Sequence, residues 1–275
     1  MKAYLSFFRI RFLAGLQYRT AAWAGIATQF AWGGMNLLMY AAFYKTGADA
    51  FPMEFAALSD YIWLQQAFLA LFMTWYFDGE ILDAVVTGSV AYELCRPADL
   101  YAMWFVKGLA VRTSRALLRF APILLVAVFL PAPYSLGLPA GPLAALLFVF
   151  SMALGLCVIV ALSMLIYISA FYTVSPLGVR VLAGTLMEFF AGGVLPLPFF
   201  PDALRTILYA LPFASIQKGL KSFRGTTRRF EYTGHLRSRE ALLELLLQAV
   251  WLVLLVALGR FWMRRAIRRT VVQGG

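Results

Sequence analysis

Charged residues are scarce in this sequence of 275 residues. Only 13% of the residues are Asp, Glu, Lys or Arg, whereas 62% belong to the hydrophobic set. An ordinary soluble domain carries roughly a quarter charged residues, so this composition excludes a single soluble domain. Because a bilayer core about 30 Å thick is crossed by about 20 apolar residues in a helix, we expect the long apolar runs to span a membrane.

Histidine and cysteine are also nearly absent. The chain has one histidine, His235, and two cysteines, Cys95 and Cys157. Since Cys95 lies in a polar segment and Cys157 in an apolar run, the sequence does not predict a disulfide framework. A His/Cys metal cluster would need more ligands, and a Ser-His-Asp triad would depend on one histidine in a basic loop. We therefore expect neither a metalloenzyme nor a hydrolase.

Acidic residues are outnumbered by basic ones, 13 against 24. Most of the cations flank apolar runs, so membrane orientation explains them better than nucleic-acid binding does. Residues 1–20 mix aromatic and basic side chains, which suits an amphipathic helix in the headgroup region, although a merely basic flank explains them equally well. The uncharged run that follows is too long for a signal-peptide core and is interpreted as a retained first span.

Six apolar runs predict an all-helical membrane protein with six transmembrane helices in a single domain, residues 1–275. The runs are Ala21–Tyr44, Tyr61–Phe77 after a loop containing Glu54 and Asp60, a run that ends in Phe120–Leu130, Leu143–Tyr167, Val181–Leu195 and Leu242–Phe261. Cations concentrated near both chain ends predict that both termini are cytoplasmic. This topology places the strongly basic loop 218–239 outside, against the usual charge bias, and leaves its role open.

Prolines interrupt the chain after the fifth run. Pro196, Pro198 and Pro201 follow that run closely, and Pro212 comes after a short apolar segment. The segment from 202 to 214 would rise only about 20 Å as a helix, which is too little to cross a bilayer. Residues 202–241 are therefore expected to form a re-entrant external segment and an external loop.

Glu188 is the one acidic residue in the middle of an apolar run, since the other acid inside these runs, Glu244, stands two residues after the start of the last run. An ionised carboxylate there costs several kcal/mol unless it is paired or hydrated. Arg112, Arg115 and Arg119 share one helix face because they are three and four residues apart, and they could snorkel to the surface or face the interior. Glu188 is expected to pair with Arg119, to line a substrate path, or to make a structural hydrogen bond between helices.

The sequence lacks the motifs of the main enzyme classes that act at membranes. No GxxxxGK[ST] phosphate loop occurs, and the nearest string, Gly219–Ser222, lacks the glycine-lysine pair. The chain is therefore not expected to hydrolyse ATP by that route. Asp78 and Asp83 faintly resemble the carboxylate motif of membrane phosphatidyl transferases, but the further aspartates and the Ala-Arg pair of that motif are missing.

The segment Asp78–Lys107 is polar for this protein and contains Gly88 and Pro97. An amphipathic helix around Asp78–Val86, capped by Gly88, would be a rigid element that projects from the membrane and could receive a push from a soluble partner. An ordinary connecting loop is the alternative. Arg96 is expected to end a helix because the residue before a proline avoids the helical region.

A family resemblance starts at Glu80–Tyr101, which reads EILDAVVTGSVAYELCRPADLY. It resembles the first cytoplasmic loop of type 2 permeases of ATP-binding-cassette transporters, where an acidic helix, a glycine and a Leu-x-Arg-Pro string follow the second span. Gly192–Pro201 and Leu211–Phe213 look like the fifth span and external re-entrant segment of that family. The ending Val271–Gly275 is similar to one bacterial branch of it.

This resemblance implies the permease subunit of an ATP-driven exporter in a bacterial inner membrane. Two permease chains, identical or related, would form the substrate path at their interface, and separate ATPase subunits would bind and hydrolyse ATP. No cofactor is expected on this chain, and the substrate is not predicted. The ATPase would act through a set of coupling residues: Asp78, Glu80, Asp83, Gly88, Glu93, Arg96 and Pro97.

The alternative function is a secondary transporter or channel that works without an ATPase. Such proteins usually have internal inverted repeats and several ionisable residues inside the membrane. The sequence shows no repeat and one clear intramembrane acid, so it favours the permease.

Overall fold

The computed structural model describes residues 2–47, 51–137, 141–173, 175–214 and 234–268, and these residues form helices and no β-strand. The prediction of an all-helical protein is therefore confirmed over this part of the chain. The α-helices are α1 (Lys2–Leu16), α2 (Arg19–Gly47), α3 (Phe55–Phe72), α4 (Gly79–Val86), α5 (Val90–Leu94), α6 (Leu100–Phe129), α7 (Pro142–Ser169), α8 (Leu177–Ala191), α9 (Asp202–Ala210) and α10 (Gly234–Ile267).

Three helical segments of the described chain are long and apolar enough to cross a membrane. They are α3, Pro142–Tyr172 and Leu242–Ile267. α6 is long but carries a lysine and three arginines, and α8 has only 15 residues, which rise about 22 Å. Length and composition thus support three of the six predicted crossings.

α3 lies at the centre of the bundle. It packs against α2, α6 and α7, and Leu58 and Ile62 are almost fully buried there. The ring of Phe68 lies 5.8 Å from that of Phe120 on α6 and 5.7 Å from that of Phe148 on α7. Because lipid supplies no hydrophobic driving force between helices, close side-chain packing of this kind is what stabilises a bundle inside a bilayer.

Two helices flank this centre. α1 lies along α6, and α10 packs along α7. Residues of α1 that are three and four apart are partly buried, among them Tyr4, Phe8 and Arg11, whereas Leu5 and Ile10 are exposed on the other side. Because apolar side chains occur on both of its faces, α1 does not show the clean polar and apolar faces of a strictly amphipathic helix.

The outward faces of several helices are strongly apolar. Large hydrophobic side chains are exposed along α2, α8 and α10, including two tryptophans of α2, Trp23 and Trp32. A soluble protein rarely exposes contiguous apolar surface on this scale, because water makes it unfavourable. Contact with lipid removes that cost, so these exposed faces agree with a protein that lies in a membrane.

α3 starts earlier than the sequence predicts. It begins at Phe55 and ends at Phe72, so the predicted span Tyr61–Phe77 is displaced along the chain. The expectation that Asp60 lies in a loop is wrong, since Asp60 is 2% exposed inside α3. Its carboxylate accepts a hydrogen bond from the backbone N–H of Gly137 at 2.6 Å, and this bond compensates the buried charge.

α8 ends at Ala191, before the predicted end at Leu195. Gly192 follows in the left-handed region with φ 86°, and the N–H of Gly193 donates to the carbonyl of Glu188 at 2.9 Å. Glycine is favoured at such a helix end because it has no Cβ to clash with the backbone. The predicted basic loop lies largely outside the described residues, which resume at 234.

Candidate functional site

One end of the bundle is formed by α1, residues 73–101 and the start of α6, and we call it the α4 end. α4 begins there because the Asp78 side chain accepts a hydrogen bond from the N–H of Glu80 at 3.0 Å and so caps the helix. It is followed by Gly88, whose φ of 75° lets the chain turn directly into α5. α5 ends before Pro97. The helix that the sequence predicts over Asp78–Val86 is present.

The segment 78–97, which we call the α4–α5 hairpin, has two different faces. Ile81, Leu82 and Val90 are buried against the bundle. On the opposite face Val86 is 52% and Tyr92 78% exposed. The predicted coupling residues that are also exposed are Glu80, Asp83, Arg96 and Pro97. A rigid surface with an exposed aromatic ring among charges is suited to contact with another protein.

Lys107 of α6 fixes the hairpin to the long helices. Its ammonium group lies 2.9 Å from the Asp78 carboxylate and 2.6 Å from that of Glu80. Arg11 of α1 reaches Glu80 at 3.3 Å. The hydrogen bond from Lys107 is the main cause that lowers the pKa of Glu80 below its usual value. The ion pairs therefore join α1, α6 and the start of α4.

Solvent weakens these ion pairs unequally. The side chains of Lys107 and Asp78 are only 7% and 13% exposed, whereas that of Glu80 is 70% exposed. An exposed pair is screened by water and salt and contributes little to stability. We therefore expect the Asp78–Lys107 pair to be the more important link between the hairpin and α6.

Arg112 connects α6 to the end of α3. It is 2% exposed, and its guanidinium donates to the backbone carbonyls of Leu71, Met73 and Tyr76 at 3.1, 2.8 and 3.1 Å. The last carbonyls of a helix have no partner inside the helix and carry partial negative charge. Arg112 satisfies these carbonyls and fixes the direction in which the chain leaves α3 towards α4.

Further hydrogen bonds hold the hairpin at both of its ends. The indole N–H of Trp104 on α6 donates to the Glu93 carboxylate at 2.6 Å. The N–H of Asp78 donates to the Tyr167 hydroxyl of α7 at 2.8 Å. Asp99, just after the hairpin, lies 3.5 Å from Arg260 of α10. The hairpin is thus connected to α6 and α7, and the residue that follows it to α10.

The two intramembrane residues selected from the sequence do not come together. Glu188 accepts a hydrogen bond from the Thr74 hydroxyl, just after α3. Arg119 packs against Gly25 of α2 so closely that a Cβ there would lie 2.6 Å from its guanidinium carbon. The predicted pairing of Glu188 with Arg119 is therefore wrong, because the two side chains project towards different helices. Glu188 makes a structural hydrogen bond, but its partner Thr74 lies just after α3 and not within a helix. That Glu188 lines a substrate path stays a prediction.

The end of α8, just before the predicted proline break, lies beside the middle of α3. The hydroxyl of Tyr61 donates to the carbonyl of Gly192 at 3.1 Å, and the amide of Gln65 donates to that of Gly193 at 3.3 Å. Since α3 begins at Phe55, the chain leaves α8 well inside the bundle and not at its end. α8 therefore does not extend over the full length of its neighbour.

The four prolines mark successive turns after this point. Pro196 precedes a short 3₁₀ turn, Leu197–Phe199, which contains the buried Pro198. Pro201 comes directly before α9, and Pro212 follows it. A small separate core, with Leu197 and Leu208 at its centre, holds this segment together. It is a compact unit made of short helices, each too short to cross a bilayer.

Lys107 and Arg11 are parts of the site that no sequence pattern singles out, and the sequence also leaves the direction of Arg112 open. The signal for Lys107 and Arg112 was their charge, because a cation within a mostly apolar helix needs a partner. The sequence pattern does not identify that partner. For Arg112 the partners are backbone carbonyls, which no sequence motif specifies.

Comparison with known proteins adds no family to this description. No protein-family model matches the chain, and no curated protein gives a significant match. The chain is therefore characterised by its own residues: its described part is a helical bundle with three candidate membrane spans and an ion-paired helical hairpin at one end.

Proposed function

We propose that this chain is the membrane-spanning permease subunit of an ATP-driven exporter of the type 2 ATP-binding-cassette class. In this proposal α2, α6 and α8 are membrane helices in addition to the three candidate spans, and the α4 end with both termini faces the cytoplasm. The chain itself is not an enzyme and binds no cofactor. ATP is bound and hydrolysed by separate ATPase subunits, and the membrane is a bacterial inner membrane.

The observation that carries the proposal is the way the α4–α5 hairpin is attached. Its buried residues and the Asp78–Lys107 ion pair fix it to α6, while its outer face is free to contact a partner. Force from a soluble motor is transmitted only through an element that does not deform when it is pushed. A short capped helix with several polar links to long helices meets this requirement better than a flexible loop.

A second copy of this chain or a related permease is part of the proposal. Six helices are few for a path that must exclude lipid, and the exposed side of α2, with Trp32, Leu38 and Phe43, offers apolar surface for such a contact. The path would then lie between two permeases. The segment after α8 would form the re-entrant external element, because it begins beside the middle of α3 and consists of helices too short to cross.

Co-purification with mutation of the exposed hairpin face tests the proposal. The full chain is purified from its native membranes with a mild detergent, and retained proteins are identified by mass spectrometry and assayed for ATPase activity. We expect an ATPase subunit to be retained. The amount of ATPase subunit retained with the Tyr92→Asp variant should be at least tenfold lower, because a charge would replace an exposed aromatic contact at the proposed interface.

Tyr18 provides the matched control, because its side chain is 71% exposed, similar to that of Tyr92, and it lies between α1 and α2, outside the hairpin. The Tyr18→Asp variant should retain the ATPase. Equal retention by wild type, Tyr18→Asp and Tyr92→Asp would contradict a role of the hairpin. Solute movement by the purified chain alone in vesicles, without any added protein, would instead support a secondary transporter or channel and overturn the proposal.

A further inference from the structure

A cleft of about 410 Å³ opens beside the α4 end, between the connection that follows α3 and the first turns of α8. Trp75 and Tyr76 line it from the connection, and Arg180 and Thr185 line it from α8. Gly184 allows α8 to approach closely, since a Cβ at this position would lie 3.5 Å from the Cα of Trp75. The volume is within the range of small-molecule binding sites, about 300–1,000 Å³.

The cleft is positively charged. Arg180 lies on its wall, and no ion pair joins it to a residue of the described chain. Arg115 is a second cation behind the wall, because its guanidinium lies 4.0 Å from the centre of the Tyr76 ring. The first two acids of the hairpin are held by Lys107, and Glu188, which is bonded to Thr74, is eight residues or about 12 Å further along α8 than Arg180. The charges of the cleft therefore favour an anion.

The surroundings of the cleft indicate which anion. Exposed apolar side chains of α8, Leu177, Val181 and Leu182, flank it, and Trp75 is exposed at its edge. Tryptophan and tyrosine concentrate at membrane surfaces, where phosphate headgroups lie above the acyl chains. A free phosphate ion would not contact the apolar flank, whereas a phospholipid would contact both the positively charged cleft and the apolar side of α8.

We propose that this cleft binds the phosphate headgroup of an anionic phospholipid. Arg180 is its main ligand, and the acyl chains lie along the exposed side of α8. The proposal concerns a site on this chain alone and does not depend on an ATPase partner. A guanidinium binds phosphate through two parallel N–H groups, so a single arginine can provide much of the affinity.

Lipid binding to the full chain tests the site. The protein in neutral detergent is titrated with phosphatidylglycerol or phosphatidylcholine, and bound lipid is counted by native mass spectrometry. We expect phosphatidylglycerol to bind preferentially to the wild type. Arg180→Gln should weaken that binding by roughly tenfold, the loss expected for one charge-assisted contact. Arg9→Gln, which removes an exposed cation from α1, is the matched control and should change it less than twofold.

Two additional measurements test whether the charge of Arg180 is recognised and whether the ligand is a lipid or free phosphate. Arg180→Lys keeps the charge but lacks the two parallel N–H groups, so its binding should lie between that of the wild type and that of Arg180→Gln. A loss as large as that of Arg180→Gln would contradict recognition of the charge. Inorganic phosphate, at the same phosphate concentration, should not stabilise the protein against heat in an Arg180-dependent way. Stabilisation by inorganic phosphate without preferential lipid binding, or unchanged lipid binding by Arg180→Gln, would overturn the proposal.

Discussion

Lys107 illustrates how one buried charge organises the α4 end. It is 7% exposed, and its ammonium contacts two carboxylates that stand at the start of α4. Removing one member of a buried pair leaves the other charge without compensation, which is usually worse than replacing the whole pair. Lys107 therefore stabilises the hairpin chiefly by neutralising Asp78, whose side chain is also shielded from water.

The Lys107→Met variant should reduce the free energy of unfolding by about 3 kcal/mol at neutral pH, because it leaves a shielded carboxylate unpaired. Reversible unfolding in detergent, followed by circular dichroism, measures this change. Adding Asp78→Asn and Glu80→Gln should recover at least half of the loss, since asparagine also caps helices well. Lys45→Met, at an exposed position, is the control. A loss below 0.5 kcal/mol for Lys107→Met would show that the pair contributes little.

At the scale of elements, the α4–α5 hairpin depends on one backbone conformation. Gly88 joins the two short helices with φ 75°, and a Cβ at this position would meet no atom within 4 Å. Any cost of substitution there therefore comes from the backbone and not from crowding. Gly79, at the start of α4, also has open space around it but has no such φ.

Gly88→Ala should destabilise the hairpin by about 1 kcal/mol, since a residue with a Cβ pays this much in the left-handed region. Gly79→Ala should be neutral or slightly stabilising, because alanine is the better helix former. Hydrogen exchange of the backbone amides in residues 79–97 measures both effects locally. We expect faster exchange in Gly88→Ala alone, and equal exchange in the two variants would contradict the strain argument.

For the whole molecule, the direction of insertion decides which side the hairpin meets. α4, α5 and the ends of the chain described by the structure lie at the same end of the bundle, as the contacts of Asp99 with Arg260 and with Tyr4 show. Cations are numerous near both chain ends, and the charge bias of membrane proteins places such ends in the cytoplasm. The hairpin should therefore be accessible from the cytoplasm only.

Cys95, exposed at the end of α5, allows this orientation to be tested with a native side chain. A membrane-impermeant maleimide should label it in inside-out vesicles but not in intact cells. Cys157 lies within the apolar α7 and should not react, because a thiol without water does not form its reactive thiolate. Cys95→Ser should abolish the signal. Labelling of Cys95 in intact cells would mean that the molecule is inserted in the opposite direction.

Much of the helical framework could be predicted from the sequence. Apolar runs and their boundaries located α7 closely, because a bilayer demands both length and hydrophobicity and few patterns satisfy both. The cap of α4 and the end of α5 were also predictable, since Asp78, Gly88 and Pro97 act through the local backbone. The position of Asp60 inside α3 was not predictable, because the group that compensates its charge, the N–H of Gly137, is distant in sequence.

By itself the sequence determined that the protein is helical, that its helices are suited to lipid, and where short-range signals start and end them. These properties depend on composition and on residues within one or two helical turns of each other. Only the tertiary structure decided that Lys107 meets Asp78, that Arg112 binds the end of α3, and that Glu188 bonds to Thr74 and not to Arg119. The partner of a buried polar group is set by which helices pack together and at what depth, and that arrangement leaves no local pattern in the chain.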